Sequence, residues 1–279
     1  MDIKNNKKSI KEEIDSKEKK GISQVWNVWN DLYARVFLDG NTDVVTDMIN
    51  AALEKEDIRI VEMRTQEQKN DLNGKTVIFD GFAIDDKGRK YVIEIQNKYE
   101  AGFESRLAYE SAVLIRMTLE KGQKYKDRPE STLIAFCKFK PMGTKKKRLV
   151  YNIGRVFLES GERFPDNEKI VMINASHTSD INTLIGKVLH DMKEESAENM
   201  LLDSFKKTTH ELKDTKEGAK KMGEVQQLIE NRGVIKGRAE MVNTMLKNSI
   251  PFESVENMLN KEYSPEMVKE ILYQAQLLA

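Results

Sequence analysis

Asp80, Glu94 and Gln96 are the residues whose types and spacing could do chemistry. Glu94 and Gln96 stand two apart, so on a strand their side chains leave the same face. A hairpin partner would bring Asp80 beside them. Two carboxylates and an amide oxygen would then converge on one spot. Hard cations such as Mg²⁺ take oxygen ligands of this kind, with waters and phosphate oxygens completing the shell. The other reading is an Asp and a Glu paired to Arg or Lys inside an ordinary sheet, since a buried carboxylate is costly unless paired or metal-bound.

The elements that must position these residues are legible around them. Thr76-Val77-Ile78-Phe79 and Tyr91-Val92-Ile93 are β-branched and aromatic, as strands prefer. Asp85-Asp86-Lys87-Gly88 between them is turn chemistry. Both arms are apolar on both faces, which predicts central, covered strands. Ile58 to Met63 fits a preceding strand, Ser131 to Phe139 a buried one, and Leu149 to Leu158 and Lys169 to Asn174 two more. A helix from Phe103 to Lys121 between strands implies a right-handed crossover and a parallel pair. The sheet is therefore mixed, with helices on both faces.

Ahead of it, Val25, Trp29, Leu32 and Val36 mark a helix from about Ser23, broken at Asp39-Gly40-Asn41 and followed by a second through Leu53. From Ser179 the chain reads as helical throughout. Gly233 and Gly237 predict a loosened or bent segment before a restart at Met241. Ile250-Pro251 ends that helix, and Ser264-Pro265-Glu266 starts the last one.

Asp31, in the first helix, could approach a metal site or simply face solvent. Arg106, Tyr109 and Glu110 lie within one turn and could face the active end of the sheet. Arg106 has the donor fork for a phosphate; it could equally pair with Glu110 at i+4. Lys138, Lys140, Lys145, Lys146, Lys147 and Arg148 run without an acid, with Pro141 and Gly143 placing the middle on a loop. Such a loop could grip a phosphate backbone or be a solvated tip. Cys137 sits in an apolar strand and reads as core. His177, His190 and His210 lack metal-ligand spacing.

Composition narrows the classes. The chain has 279 residues, 33% of them charged, with a formal net charge of +0, so no whole-protein field favours nucleic acid or membrane. A single cysteine excludes an intramolecular disulfide and suits a reducing cytosol. No signal peptide or long apolar run is seen, so no membrane is expected.

The carboxylate, spacer, carboxylate-x-Gln pattern resembles the core of the PD-(D/E)XK nuclease superfamily, with Gln96 where Lys is usual. The wider chain resembles its Rpn (recombination-promoting nuclease, transposase-like) branch, in which Gln is usual. Trp29-Asn30-Asp31 through Val36-Phe37 resembles the opening helix of that branch. Asp80, with Asp86-Lys87-Gly88-Arg89 and Glu94-Ile95-Gln96, resembles its catalytic hairpin. Phe103, Arg106, Tyr109, Gly122 and Tyr125 resemble its crossover helix and exit. Ile134 to Pro141 resembles the next strand, and Ile185-Gly186-Lys187-Val188-Leu189-His190-Asp191 a downstream signature. The chain departs from the branch at Ile78-Phe79, often Arg-Leu there, and at Lys140, often Asp.

The resemblance implies a restriction-endonuclease-like mixed β-sheet flanked by helices, followed by an all-helical C-terminal region. The organisation expected is a disordered arm (1–22), the nuclease-like domain (23–178), a helical extension (179–232) and a small helical module (233–279). The expected activity is metal-dependent DNA endonuclease hydrolysis, in the cytoplasm, with Mg²⁺ as cofactor and Mn²⁺ or Ca²⁺ as alternatives. Asp80 and Glu94 would hold the metal, and Gln96 would orient water or phosphate. Arg106, Tyr109, Lys145, Lys146, Lys147 and Arg148 would contact DNA. The competing expectation is a catalytically idle nuclease fold that binds DNA or a protein. Homo-oligomerisation through the helical C-terminal region is expected separately from that choice.

Overall fold

The computed structural model describes residues 26–70, 76–119, 121–141, 145, 147–177 and 179–277. The arm expected at 1–22 and Lys146 of the basic loop lie outside them. The chain divides into two compact units at Met222/Gly223.

The first unit is built on a six-stranded sheet of order β1-β2-β3-β4-β6-β5. The strands are β1 (Ile60–Asn70), β2 (Thr76–Asp85), β3 (Lys90–Gln96), β4 (Ser131–Cys137), β5 (Val150–Ile153) and β6 (Glu168–Asn174). β1, β2 and β3 pair antiparallel, β3–β4 and β4–β6 parallel, and β5 runs antiparallel at the edge. The sheet is therefore mixed. The β2–β3 turn is where its chemistry puts it, with Gly88 at φ +75°. Every residue of β4 is buried, as its unbroken apolar run requires.

One sheet face is covered by α3 (Phe103–Arg116), whose Phe103, Leu107, Val113 and Leu114 pack with Phe82, Val92, Leu133, Ala135 and Cys137. α1 (Asp31–Leu38) and α2 (Thr42–Leu53) precede β1. Ser23, the expected start of this helix, lies outside the described residues; within them α1 begins at Asp31, where the Asn30 side chain accepts the Tyr33 N–H and caps it. Leu149 to Leu158 is not one strand. β5 ends at Ile153, and the chain then folds back through a bridge between Val156 and Arg163.

Downstream, α4 (Leu184–Asp191) and α5 (Asp203–Asp214) dock on α1 and α2. The Phe37 and Phe205 rings lie 5.3 Å apart, and Tyr33 Oη donates to Thr209 at 3.2 Å. Gly186 and Asp191 earn their place in the downstream signature by packing. A Cβ on Gly186 would sit 1.8 Å from the Asp180 carbonyl oxygen. The wholly buried Asp191 carboxylate accepts the backbone N–H groups of Leu201 and Leu202.

The loosened segment expected at Gly233 and Gly237 is absent. α6 (Lys216–Lys247) runs through both glycines. Each costs about 1 kcal/mol of helix propensity, too little to break a long helix rich in Glu, Lys and Met and free of proline. The second unit, from Gly223, continues α6 and adds α7 (Phe252–Glu262) and α8 (Pro265–Leu277). Its core is Ala239, Val242, Val255, Leu259, Val268, Ile271 and Ala275. No helix among the described residues is long and apolar enough to cross a membrane.

Candidate active site

The β2–β3 ladder runs from the turn as far as the pair Gly81–Ile93. Beyond it the strands part, and side chains take over the bonding. Asp80 N donates to Glu94 Oε1 at 3.3 Å, and Ile95 N donates to Asp80 Oδ2 at 3.0 Å. β1 is irregular at the same level. Gln66, between the pairs Thr65–Gly81 and Glu67–Phe79, has φ +55°. The register stays one to one across it, so Gln66 stands opposite Asp80 in an unusual backbone conformation. Asp80 and Glu94 are thus brought together where the sheet loosens.

Glu94 is 3% exposed. Its burial pushes the carboxyl well above the usual carboxylate range, and the nearby Asp80 and Glu110 push the same way. Asp80 is also raised, chiefly by burial, while the Ile95 N–H holds it down. Asp31 pushes it up, and Arg35 and Arg106 pull it down. Gln96 is half-buried and makes no side-chain hydrogen bond among the described residues.

α3 lays two more groups against this pair. Glu110 is buried and pushed up to about 7, first by burial, with Arg106 opposing and Asp80 adding. Arg106 Nε lies 3.6 Å from Glu110 Oε1. Glu110 Oε2, Arg106 Nε and Arg106 Nη2 are buried without a hydrogen-bond partner. Both readings of Arg106 therefore meet in one side chain, which touches Glu110 and keeps donors free.

α1 closes the other side. A pocket beside Asp80 is lined by Trp29, Asp31, Arg35, Ile95 and Asn97 among others. Asp31 is 74% exposed and pairs with Arg35 at 3.4 Å, so it stands at the mouth of the pocket rather than inside. The Arg35 Nε is buried without a hydrogen bond.

Tyr109 packs against the apolar cluster under α3. Lys145, Lys147 and Arg148 are exposed. Lys147 Nζ donates to the Ser176 carbonyl at 3.2 Å, and Arg148 N donates to Tyr151 Oη at 2.8 Å. Cys137 is fully buried with its thiol pushed up to about 12 by burial, which makes it a core residue.

Sequence reasoning set Glu110 with Arg106 at the active end of the sheet without giving it a role at the site, and it passed over Arg35. Glu110 carried a signal, because Phe103, Leu107, Glu110 and Leu114 fall on one helical face and an acid is out of place there. Arg35 carried none beyond the i−4 Asp31.

The donor set fits a divalent cation. Three carboxyl groups, Asp80, Glu94 and Glu110, are crowded in a desolvated place, each with proton affinity raised despite the nearby Arg106. Among the described residues no three acid, His or Cys side chains are grouped to hold a metal. Asp80 and Glu94 would be the protein ligands, which suits an ion that keeps water and phosphate oxygens.

A family model described as PD-(D/E)XK nuclease family transposase matches residues 32–185, more than half of the chain and all six strands. No curated protein and no solved structure matches the chain significantly.

Proposed function

The chain belongs to the PD-(D/E)XK nuclease family transposases, and from that premise we propose that it is a Mg²⁺-dependent DNA endonuclease, with Mn²⁺ or Ca²⁺ as alternative ions. The observation that carries this reading is the convergence of Asp80 and Glu94 at the parted end of β2 and β3. Glu110 and Arg106 lie against them.

Asp80 and Glu94 hold the cation. When bound, it supplies Lewis acidity at the phosphorus oxygens and acidifies a coordinated water. Gln96 orients the attacking water or a phosphate oxygen through its amide. It cannot accept the proton, because an amide is not a base near neutral pH. Arg106 offers its free donors to the scissile phosphate, and Glu110 fixes its guanidinium from behind. Arg35 offers a second guanidinium from α1, on the other side of Asp80. Two cations flanking the carboxylates stabilise the charge that develops on phosphorus. Lys145, Lys147 and Arg148 supply backbone contacts farther out, together with Lys146.

Cleavage of supercoiled plasmid tests this, with Mg²⁺, with EDTA, and with Asp80→Ala. Metal-dependent nicking that disappears in the variant is the expected result. A folded wild-type protein that cuts neither plasmid nor single-stranded DNA with any of these ions would favour the second reading, an idle nuclease fold that binds DNA. The observation on its side is that, among the described residues, no three acid, His or Cys side chains are grouped to hold a metal.

A further inference from the structure

At the starts of β3, β4 and β6 the sheet opens into a separate cavity of about 200 Å³. The carboxylates Asp80 and Glu94 do not line it. Its wall carries four cations from different parts of the chain: Lys55 after α2, Arg89 before β3, Arg163 before β6, and Lys169 in β6. Two acids, Glu130 and Glu168, also line it. Glu168 is already engaged, by Arg155 and by the Ser111 hydroxyl.

The cations are under-used. Lys55 and Lys169 make no ion pair or side-chain hydrogen bond among the described residues. Arg163 spends one Nη2 bond on the Glu168 carbonyl at 2.8 Å. Arg89 donates Nε to the buried Asp85, yet its Nη2 is buried without a partner. The buried Ser131 and Thr132 add hydroxyls to the wall. Burial and the neighbouring Arg163 and Lys55 hold the Lys169 ammonium below its ordinary range. Such a wall has donors and positive charge in excess of acceptors.

We propose that this cavity is a phosphate-binding site, taking the dianion or diester group of a phosphate ester among Lys169, Lys55, Arg163 and the free Nη2 of Arg89. Several acceptor oxygens on one tetrahedral group suit donors that arrive from several directions. The ester comes either from a free nucleotide or from the backbone of bound DNA. The site stands whether or not the chain cuts DNA.

The test uses the full chain in EDTA, so that metal-assisted binding at the carboxylates is removed. Inorganic phosphate and a 5′-mononucleotide are titrated by calorimetry, and duplex binding is measured across salt. The wild type is compared with Lys169→Met, Lys169→Arg and Arg106→Ala. A free ester predicts phosphate and nucleotide binding that weakens about tenfold or more in Lys169→Met, is retained by Lys169→Arg, and is untouched by Arg106→Ala. A backbone source predicts a duplex salt slope reduced by about one in Lys169→Met, restored by Lys169→Arg. If Lys169→Met is folded and changes neither phosphate affinity nor the slope, the proposal fails. Loss of phosphate binding in Arg106→Ala instead would move the ligand to the carboxylate site and overturn it as well.

Discussion

Glu94 illustrates how a side chain can weaken a fold and serve a site. Its carboxyl is almost wholly buried, with Asp80 and Glu110 adding negative charge around it. Replacing it by the neutral isostere removes that repulsion. Glu94→Gln is expected to raise the metal-free melting temperature while abolishing metal-dependent nicking, the trade-off of a strained functional group. Thermal melts with EDTA and the plasmid assay check the two halves. Mg²⁺ should raise the melting temperature of the wild type and not that of Asp80→Ala, since a ligand stabilises only a state that binds it. Equal Mg²⁺ shifts in both proteins would place the ion elsewhere.

At the scale of elements, the docking of α5 on α1 holds a lysine in an unusual place. Lys213 is 5% exposed, donates to the carbonyls of Trp26 and Glu195, and lies 5.1 Å from the centre of the Tyr33 ring. Burial lowers it to about 8, against the opposing pull of Glu195 and Asp214. The folded state therefore binds fewer protons than the unfolded chain between about pH 8 and the ordinary lysine value near 10.5. Stability from this group should rise with pH across that window, and its desolvation cost is in full force below it. Urea melts from pH 7.5 to 10 should show the rise, and Lys213→Met should flatten it.

Glycines divide in the same way by element. Gly186→Ala forces a Cβ onto the Asp180 carbonyl and should cost about 3 kcal/mol or more. Gly233→Ala meets nothing within 4 Å and should stabilise α6 by about 1 kcal/mol. Denaturant midpoints of the two variants, moving in opposite directions, test this.

For the whole molecule, the family match ends at Ile185, while the compact unit around the sheet continues to Met222. The reason is packing: α5 supplies Phe205 to the ring of Phe37 and Ser204 to Asp47. A chain ended at Met222 should keep metal-dependent nicking, whereas one ended at Ile185 should not fold. Circular dichroism and the plasmid assay on both truncations decide it. The second unit has its own apolar core, and the expectation of self-association falls on it. Sedimentation of the full chain beside the Met222 truncation tests that role.

The sequence by itself determined the order of the strands along the chain, the hairpin turn, the parallel crossover, and the pairing of Asp80 with Glu94 across it. These follow from local rules: turn residues, side-chain alternation and the apolar periods of strands and helices. Only the tertiary structure decided which groups from distant segments complete the site. Glu110 and Arg106 reach it because α3 packs on the sheet, and Arg35 because α1 closes over Asp80. The cation-lined cavity at the other strand ends joins residues from Lys55 to Lys169. No spacing in the chain announces such a meeting, because the register between strands and the docking of helices set it.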